Sequence, residues 1–169
     1  ANLAASKPAG SVDFVFAAEK AVDAVVHVKT QAMRDEYNYN PFYEFFFGDR
    51  PNPQQRPVMG FGSGVIISDD GYIVTNNHVI DKMDEIEVVL NDRRSFTAEV
   101  IGTDPSTDLA LLKVDVDGLP YLTYGDSDNL KLGEWVLAVG NPYNLTSTVT
   151  AGIVSAKARN INILREQFA

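Results

Sequence analysis

The chain has 169 residues, of which 45% are hydrophobic and 22% charged, which is typical of a globular domain large enough to bury a core. Its formal net charge of −9 disfavours nucleic acid as a partner, because an acidic surface repels phosphate groups. It has no cysteine and no apolar run near the about 20 residues that span a bilayer, which argues against disulfides, thiolate metal sites and stable membrane insertion.

The first third of the chain predicts a short helix, a strand and a long loop. Apolar residues recur at helical spacing over residues 13–24, and the valine-rich segment 25–30 that follows is typical of a β-strand. Residues 37–57 then combine a cluster of tyrosines and phenylalanines with several prolines, which predicts a long loop. The start of the chain has no basic segment followed by an apolar one, so no signal peptide is expected within it.

From residue 62 onward, short β-rich segments alternate with turn residues, and Asp69-Asp70-Gly71 is a hairpin-type turn between two of them. The predicted strands cover residues 64–68, 72–75, 86–90, 95–102, 109–114, 121–124, 135–140 and 148–155. No long helical segment alternates with them. The pattern therefore predicts an all-β antiparallel barrel or sandwich with a short N-terminal helix.

His78 and Asp108 stand at the ends of predicted strands, where a rigid sheet can present them to a cleft. A neutral imidazole can take a proton from a hydroxyl and return it to a leaving group, and a carboxylate on its other nitrogen fixes its tautomer. Taken alone, each residue is more typical of a structural or turn position. His27 lies among valines and is interpreted as a packed strand residue, too far from His78 in sequence for a local metal motif.

Longer motifs distinguish between these interpretations. In chain order they are residues 62–80 (GSGVIISDDGYIVTNNHVI), 108–113 (DLALLK), 125–128 (GDSD), 132–142 (LGEWVLAVGNP) and 150–156 (TAGIVSA). Together, with His78 thirty positions before Asp108, they resemble the protease domain of the HtrA/Deg family of chymotrypsin-like serine proteases. The resemblance extends over about residues 11–163.

This resemblance implies two six-stranded antiparallel β-barrels with the active site between them. His78 would act as general base and then general acid, and Asp108 would orient it. Within one trypsin-like protease domain spanning 1–169, residues 11–132 would form the complete first barrel and residues 133–169 the start of a truncated second barrel. The family carries its nucleophilic serine in a Gly-Asn-Ser-Gly-Gly segment, which is absent from these residues, as are the family's PDZ domains. The chain as given is therefore expected to be inactive.

The resemblance further implies a serine endopeptidase that degrades unfolded or misfolded proteins in the bacterial periplasm under stress and can also act as a chaperone. It implies a homotrimer or higher oligomer and requires no metal ion or organic cofactor. In this family the loop at 37–57 would reach a neighbouring subunit's active site, although its aromatic residues could equally form a local hydrophobic cluster. The open alternative is a non-catalytic binding protein that keeps the protease scaffold.

Overall fold

Six antiparallel strands close into a barrel in the order β1-β2-β3-β6-β5-β4. The computed structural model describes residues 13–36, 54–141 and 147–157. The barrel strands are β1 Val25–Glu36, β2 Gln54–Ile66, β3 Tyr72–Asn76, β4 Glu85–Val89, β5 Ser95–Asp104 and β6 Leu109–Val114. Closure pairs β1 with β4, so that the first and fourth strands of the sequence complete the cylinder.

The core of the barrel follows from the alternation of side chains along each strand. In β6 every second residue is buried, and β3 shows the same pattern, because successive side chains of a strand point to opposite faces. Within the barrel strands, the apolar residues with no exposed surface are Val26, Val28, Ile66, Ile73, Val88, Leu112 and Val114. They come from five strands and meet at the barrel axis, so branched aliphatic side chains fill the interior.

A helix and a second sheet accompany the barrel. Helix α1 spans Val15–Ala24, as the helical spacing predicts, and strands β7 Trp135–Gly140 and β8 Thr148–Ile153 form a two-stranded antiparallel sheet. Phe14 meets the edge of the Trp135 ring at 5.5 Å between centroids, which seats α1 beside β7. The closed barrel and the second antiparallel sheet confirm the all-β prediction and agree with a chymotrypsin-like fold. The predicted division between two barrels near residue 132 stays a prediction.

One predicted strand is wrong. Residues 121–124 lie in a segment without strand structure, between Val114 and a short 3₁₀ helix at Ser127–Asn129. The segment follows the barrel through isolated hydrogen bonds, from the Leu119 N–H to the Asp69 carbonyl and from the Leu122 N–H to the Ile66 carbonyl. Single bonds of this kind do not make a ladder, and Pro120 contributes no N–H to one.

The predicted loop at 37–57 is partly wrong as well. Residues 37–53 lie outside the described part of the chain, but β2 begins at Gln54 and pairs with β1 as far as Glu36. Pro57 is accommodated because this end of β2 pairs with β1 alone, while β3 pairs with β2 only from Gly64 to Ile66. A proline is tolerated in an edge strand, where its missing N–H interrupts no second ladder.

The predicted turn before β3 is confirmed. Gly71 has φ +96°, a left-handed conformation that L side chains rarely adopt, and its N–H donates to the Ser68 carbonyl at 3.3 Å. Its own carbonyl accepts from the Val114 N–H at 3.0 Å. A Cβ at this position would overlap the Val114 carbonyl oxygen, so both the backbone angle and the space require glycine.

We expect Gly71→Ala to lower the free energy of unfolding by about 2–4 kcal/mol, through backbone strain and overlap with β6 together. Gly118→Ala is the matched control, because Gly118 also has a positive φ, +73°, but a Cβ there would come within 4 Å of no described residue beyond its chain neighbours. Backbone strain alone predicts a loss of about 1 kcal/mol for the control. Urea unfolding of both variants compares the two, and equal losses would contradict the steric argument.

Candidate active site

The pairing of β3 with β6 brings two distant parts of the sequence together. The strands are antiparallel, with Asn76, the last residue of β3, opposite Leu109, the first residue of β6. The residues just after β3 and just before β6 are therefore neighbours. His78 and Asp108, thirty positions apart in sequence, meet at this end of the barrel.

His78 and Asp108 make two direct contacts. The ring Nδ1 of His78 lies 2.7 Å from Oδ2 of Asp108, and the backbone N–H of His78 donates to Oδ1 at 2.9 Å. Because an ionised carboxylate can only accept, Nδ1 carries the proton in the neutral ring. The lone pair of the neutral imidazole is then on Nε2, the nitrogen that points away from Asp108.

The backbone around Asp108 is shaped for these contacts. Asp108 has φ +56°, a left-handed conformation that aspartate tolerates better than most residues. Its carbonyl oxygen accepts from the Asn77 N–H and from the Asn76 side-chain amide, each at 3.1 Å. The same amide donates to Oδ2 of Asp108 at 3.2 Å. Strained backbone of this kind is held only where several partners determine it, and it concentrates at functional sites.

A short helix carries His78 and is anchored in the barrel. Helix α2 spans Asn77–Ile80, and Val79 and Ile80 are buried. The Thr30 hydroxyl donates to the Val79 carbonyl at 3.1 Å. The Val79 side chain packs over Gly62, where a Cβ would come within 2.7 Å of it, so glycine provides the room. The His78 backbone is therefore held by packing as well as by Asp108.

The pair is open to solvent on one side. The His78 side chain is 64% exposed and that of Asp108 is 23% exposed. The pKa of the Asp108 carboxyl is held below its ordinary value, chiefly by the hydrogen bond from the His78 backbone N–H. Partial burial opposes this effect, while the His78 ring and the Asn76 amide lower the pKa further. Asp108 is therefore ionised at neutral pH, the state that can stabilise a positively charged imidazole.

The structure brings together both residues that the sequence singles out. His27 lies in β1 and is 2% exposed, which confirms the interpretation of a packed strand residue. Asn76 and Asn77, which hold the Asp108 backbone, are missed by sequence reasoning, although the Asn-Asn pair beside His78 is a signal for them. Among the described residues, no group of three His, Cys, Asp or Glu side chains is placed to hold a metal ion, and no helix is long and apolar enough to cross a membrane.

We expect the Asp108 carboxyl to titrate below the ordinary aspartate value of about 3.9, and to remain below it in His78→Ala. That variant removes the ring but keeps the backbone N–H, the largest cause of the lowered pKa. Because the folded-state pKa is the lower one, the carboxylate stabilises the fold above the ordinary value, and this contribution is lost as pH falls through the lowered pKa. Carbon-13 NMR titration, with Asp108→Asn to assign the resonance, measures it. An ordinary midpoint in the wild-type protein would contradict the geometry.

Comparison with known proteins places the chain in a family. Residues 62–167 match the trypsin-like peptidase domain. The chain is 48% identical over 168 residues to a protein named probable periplasmic serine endoprotease DegP-like from Marinomonas sp. (strain MWYL1), covering 88% of the chain and 36% of that protein. A protein of the same name from Pseudomonas putida (strain F1) is 45% identical over 169 residues, again covering 88% of the chain and 35% of the protein.

A solved protease structure is also similar to this chain. The structure titled HtrA-type protease AlgW with decapeptide is similar with a TM-score of 0.70 and 42% identity, over 90% of this chain and 48% of that one. The chain thus spans about a third of the length of the two relatives, at 36% and 35%. The family match covers more than half of the chain and includes both His78 and Asp108. The chain therefore belongs to the trypsin-like peptidase family, and the relatives that it resembles are named DegP-like and HtrA-type proteases.

Proposed function

We propose that this chain supplies the general base, His78, and its orienting carboxylate, Asp108, to the active site of a serine endopeptidase. The observation that carries the proposal is the double contact of one carboxylate with the His78 ring and the His78 backbone, at 2.7 and 2.9 Å. A binding protein on the same scaffold has no need of a fixed imidazole tautomer. The geometry therefore supports catalysis over the non-catalytic alternative.

The chemistry would be acyl transfer followed by hydrolysis. Nε2 of His78 takes the proton of a serine hydroxyl as the oxygen attacks the peptide carbonyl, and the resulting imidazolium returns this proton to the leaving amine. Water then attacks the acyl-enzyme by the same route and releases the acid. Asp108 keeps the ring in the Nδ1–H tautomer and stabilises the imidazolium without taking its proton.

The 169 residues contain no Gly-Asn-Ser-Gly-Gly segment, in which the family carries its nucleophile and the N–H donors for the oxyanion. The proposal therefore assigns to this chain the residues that move and orient the proton, and no serine among them is assigned as the nucleophile. These residues on their own are expected to be inactive.

The relatives support the proposed substrates and location. The DegP-like relatives are named probable periplasmic serine endoproteases, and the HtrA-type structure is described as the protease with decapeptide. For this chain the proposal is a periplasmic endopeptidase that acts on unfolded or misfolded envelope proteins, with a chaperone role, as a homotrimer or higher oligomer. The family resemblance supports these points, and the geometry of His78 and Asp108 supports the chemistry.

In the natural full-length protein we expect Asp108→Asn to lower kcat on labelled casein by about 10⁴, because an asparagine amide can hold the ring in the wrong tautomer. His78→Ala is expected to reduce hydrolysis at least as far, since it removes the base itself. Steady-state rates on the same substrate compare both variants with the wild-type protein.

Asp104→Asn is the matched control. Asp104 lies at the other end of the same turn, but its carboxylate accepts from the Ser106 and Thr107 hydroxyls at 2.6 and 2.7 Å rather than from a histidine. This variant is expected to keep kcat within about twofold of the wild-type value, the level of an exposed substitution away from the chemistry. A loss under about tenfold in Asp108→Asn would contradict the role of Asp108. Casein binding without any hydrolysis would favour the binding-protein alternative.

A further inference from the structure

The barrel and the β7–β8 sheet are hydrogen-bonded to each other at Asn141, and we call this contact the junction. Among the described residues, two hydrogen bonds connect them, and both end on the backbone of Asn141, directly after β7. The Asn141 carbonyl lies 2.7 Å from Nδ1 of His27, and the Asn141 N–H donates to Oγ of Ser63 at 2.9 Å. Both peptide groups on either side of the Asn141 Cα are therefore held by barrel side chains.

His27 is a polar residue at a buried position of β1. Its neighbours in β1, Val26 and Val28, fill the barrel core, so strand alternation directs His27 to the outer face. It is still only 2% exposed: Phe61 stacks on its ring at 5.7 Å between centroids, and its Nδ1 lies 2.7 Å from the Asn141 carbonyl. Burying an imidazole costs free energy unless it is hydrogen-bonded, whereas a valine would pack here without that requirement.

The tautomer of His27 follows from its partner. A carbonyl oxygen can only accept, so Nδ1 of His27 carries a proton and donates it to Asn141. Asn141 is itself 4% exposed. A buried carbonyl that lacks a hydrogen-bond donor costs free energy, so the bond from His27 stabilises Asn141 in this position.

The junction is connected to the candidate active site through a short series of hydrogen bonds. The Ser63 residue that accepts from Asn141 also accepts, at its carbonyl, from the Thr75 hydroxyl at 2.8 Å. Thr75 is buried in β3 and immediately precedes Asn76, whose amide holds Asp108. Asn141 is thus tied to the strand that leads into His78.

We infer that His27, assisted by Ser63, is a positioning residue for peptide hydrolysis: it fixes the end of β7 relative to the His78–Asp108 pair. The inference rests on the proposed function. In a protease whose site lies between two β-barrels, reacting groups on the two sides must be aligned closely, and a misplacement of about 1 Å costs about a hundredfold in rate. A defect at this junction should therefore act on kcat and leave KM nearly unchanged.

Three variants of the natural full-length protein test the inference, assayed on labelled casein. His27→Leu keeps a similar volume but removes the donor, and is expected to lower kcat about tenfold or more with KM within about threefold. His27→Asn places an amide nitrogen where Nδ1 lies, since both atoms are bonded to Cγ, and is expected to restore kcat to within about threefold of wild type. Ser63→Ala removes the acceptor for the Asn141 N–H and should lower kcat in the same direction.

Val114→Ala is the control for lost stability. Val114 is fully buried at the far end of β6 from Asp108, so truncating it destabilises the barrel without touching the junction. At a temperature where thermal unfolding shows every variant folded, it should keep kcat within about twofold. An equal loss of kcat in Val114→Ala, or no recovery in His27→Asn, would overturn the inference in favour of simple packing.

His78→Ala separates the two proposals. Hydrolysis that depends on His78 but stays within about twofold of wild type in both His27→Leu and Ser63→Ala would overturn the inference and leave the proposed function standing. Hydrolysis that survives in His78→Ala would overturn the proposed function, and the positioning role with it.

Discussion

The geometry of the candidate active site depends on a single carboxylate, that of Asp108. Asp108 accepts from both the ring and the backbone of His78, so it holds the first turn of the helix that carries the histidine and determines which ring nitrogen holds the proton. Loss of the first bond would leave the ring without its partner on Nδ1, and loss of the second would leave the His78 backbone N–H without its acceptor. Because a charged acceptor makes stronger hydrogen bonds than a neutral one, the ionised state of Asp108 is part of the geometry.

The barrel makes this contact possible because it pairs β3 with β6 and so brings the end of β3 next to the start of β6. Their pairing is fixed by the alternation of buried and exposed residues, since a slip by one position would turn either Ile73 or Leu112 outward. Hydrogen bonds from Asn76 and Asn77 to the Asp108 carbonyl stabilise its left-handed backbone. Packing therefore sets the position of the pair, and local hydrogen bonds set its orientation.

Much of this could be predicted from the sequence, where local signals are strong. The turn at Gly71 and the alternating strands are read directly from residue type, and the motif around His78 indicates its partner through family resemblance. The supposed strand at 121–124 fails because its neighbours in space, not its own composition, decide whether a ladder forms. The bond between His27 and Asn141 joins residues 114 positions apart, and no local pattern encodes such a contact.

The most direct test of the account is the tautomer of His78. The sequence has two histidines, so nitrogen-15 NMR of histidine-labelled protein, at a pH where both rings are neutral, gives a spectrum that His78→Ala can assign. We expect His78 to carry its proton on Nδ1, with the resonance of this proton shifted downfield by the hydrogen bond to Asp108, and we expect this signal to be lost in Asp108→Ala. A His78 ring protonated on Nε2, or unchanged when Asp108 is removed, would contradict it.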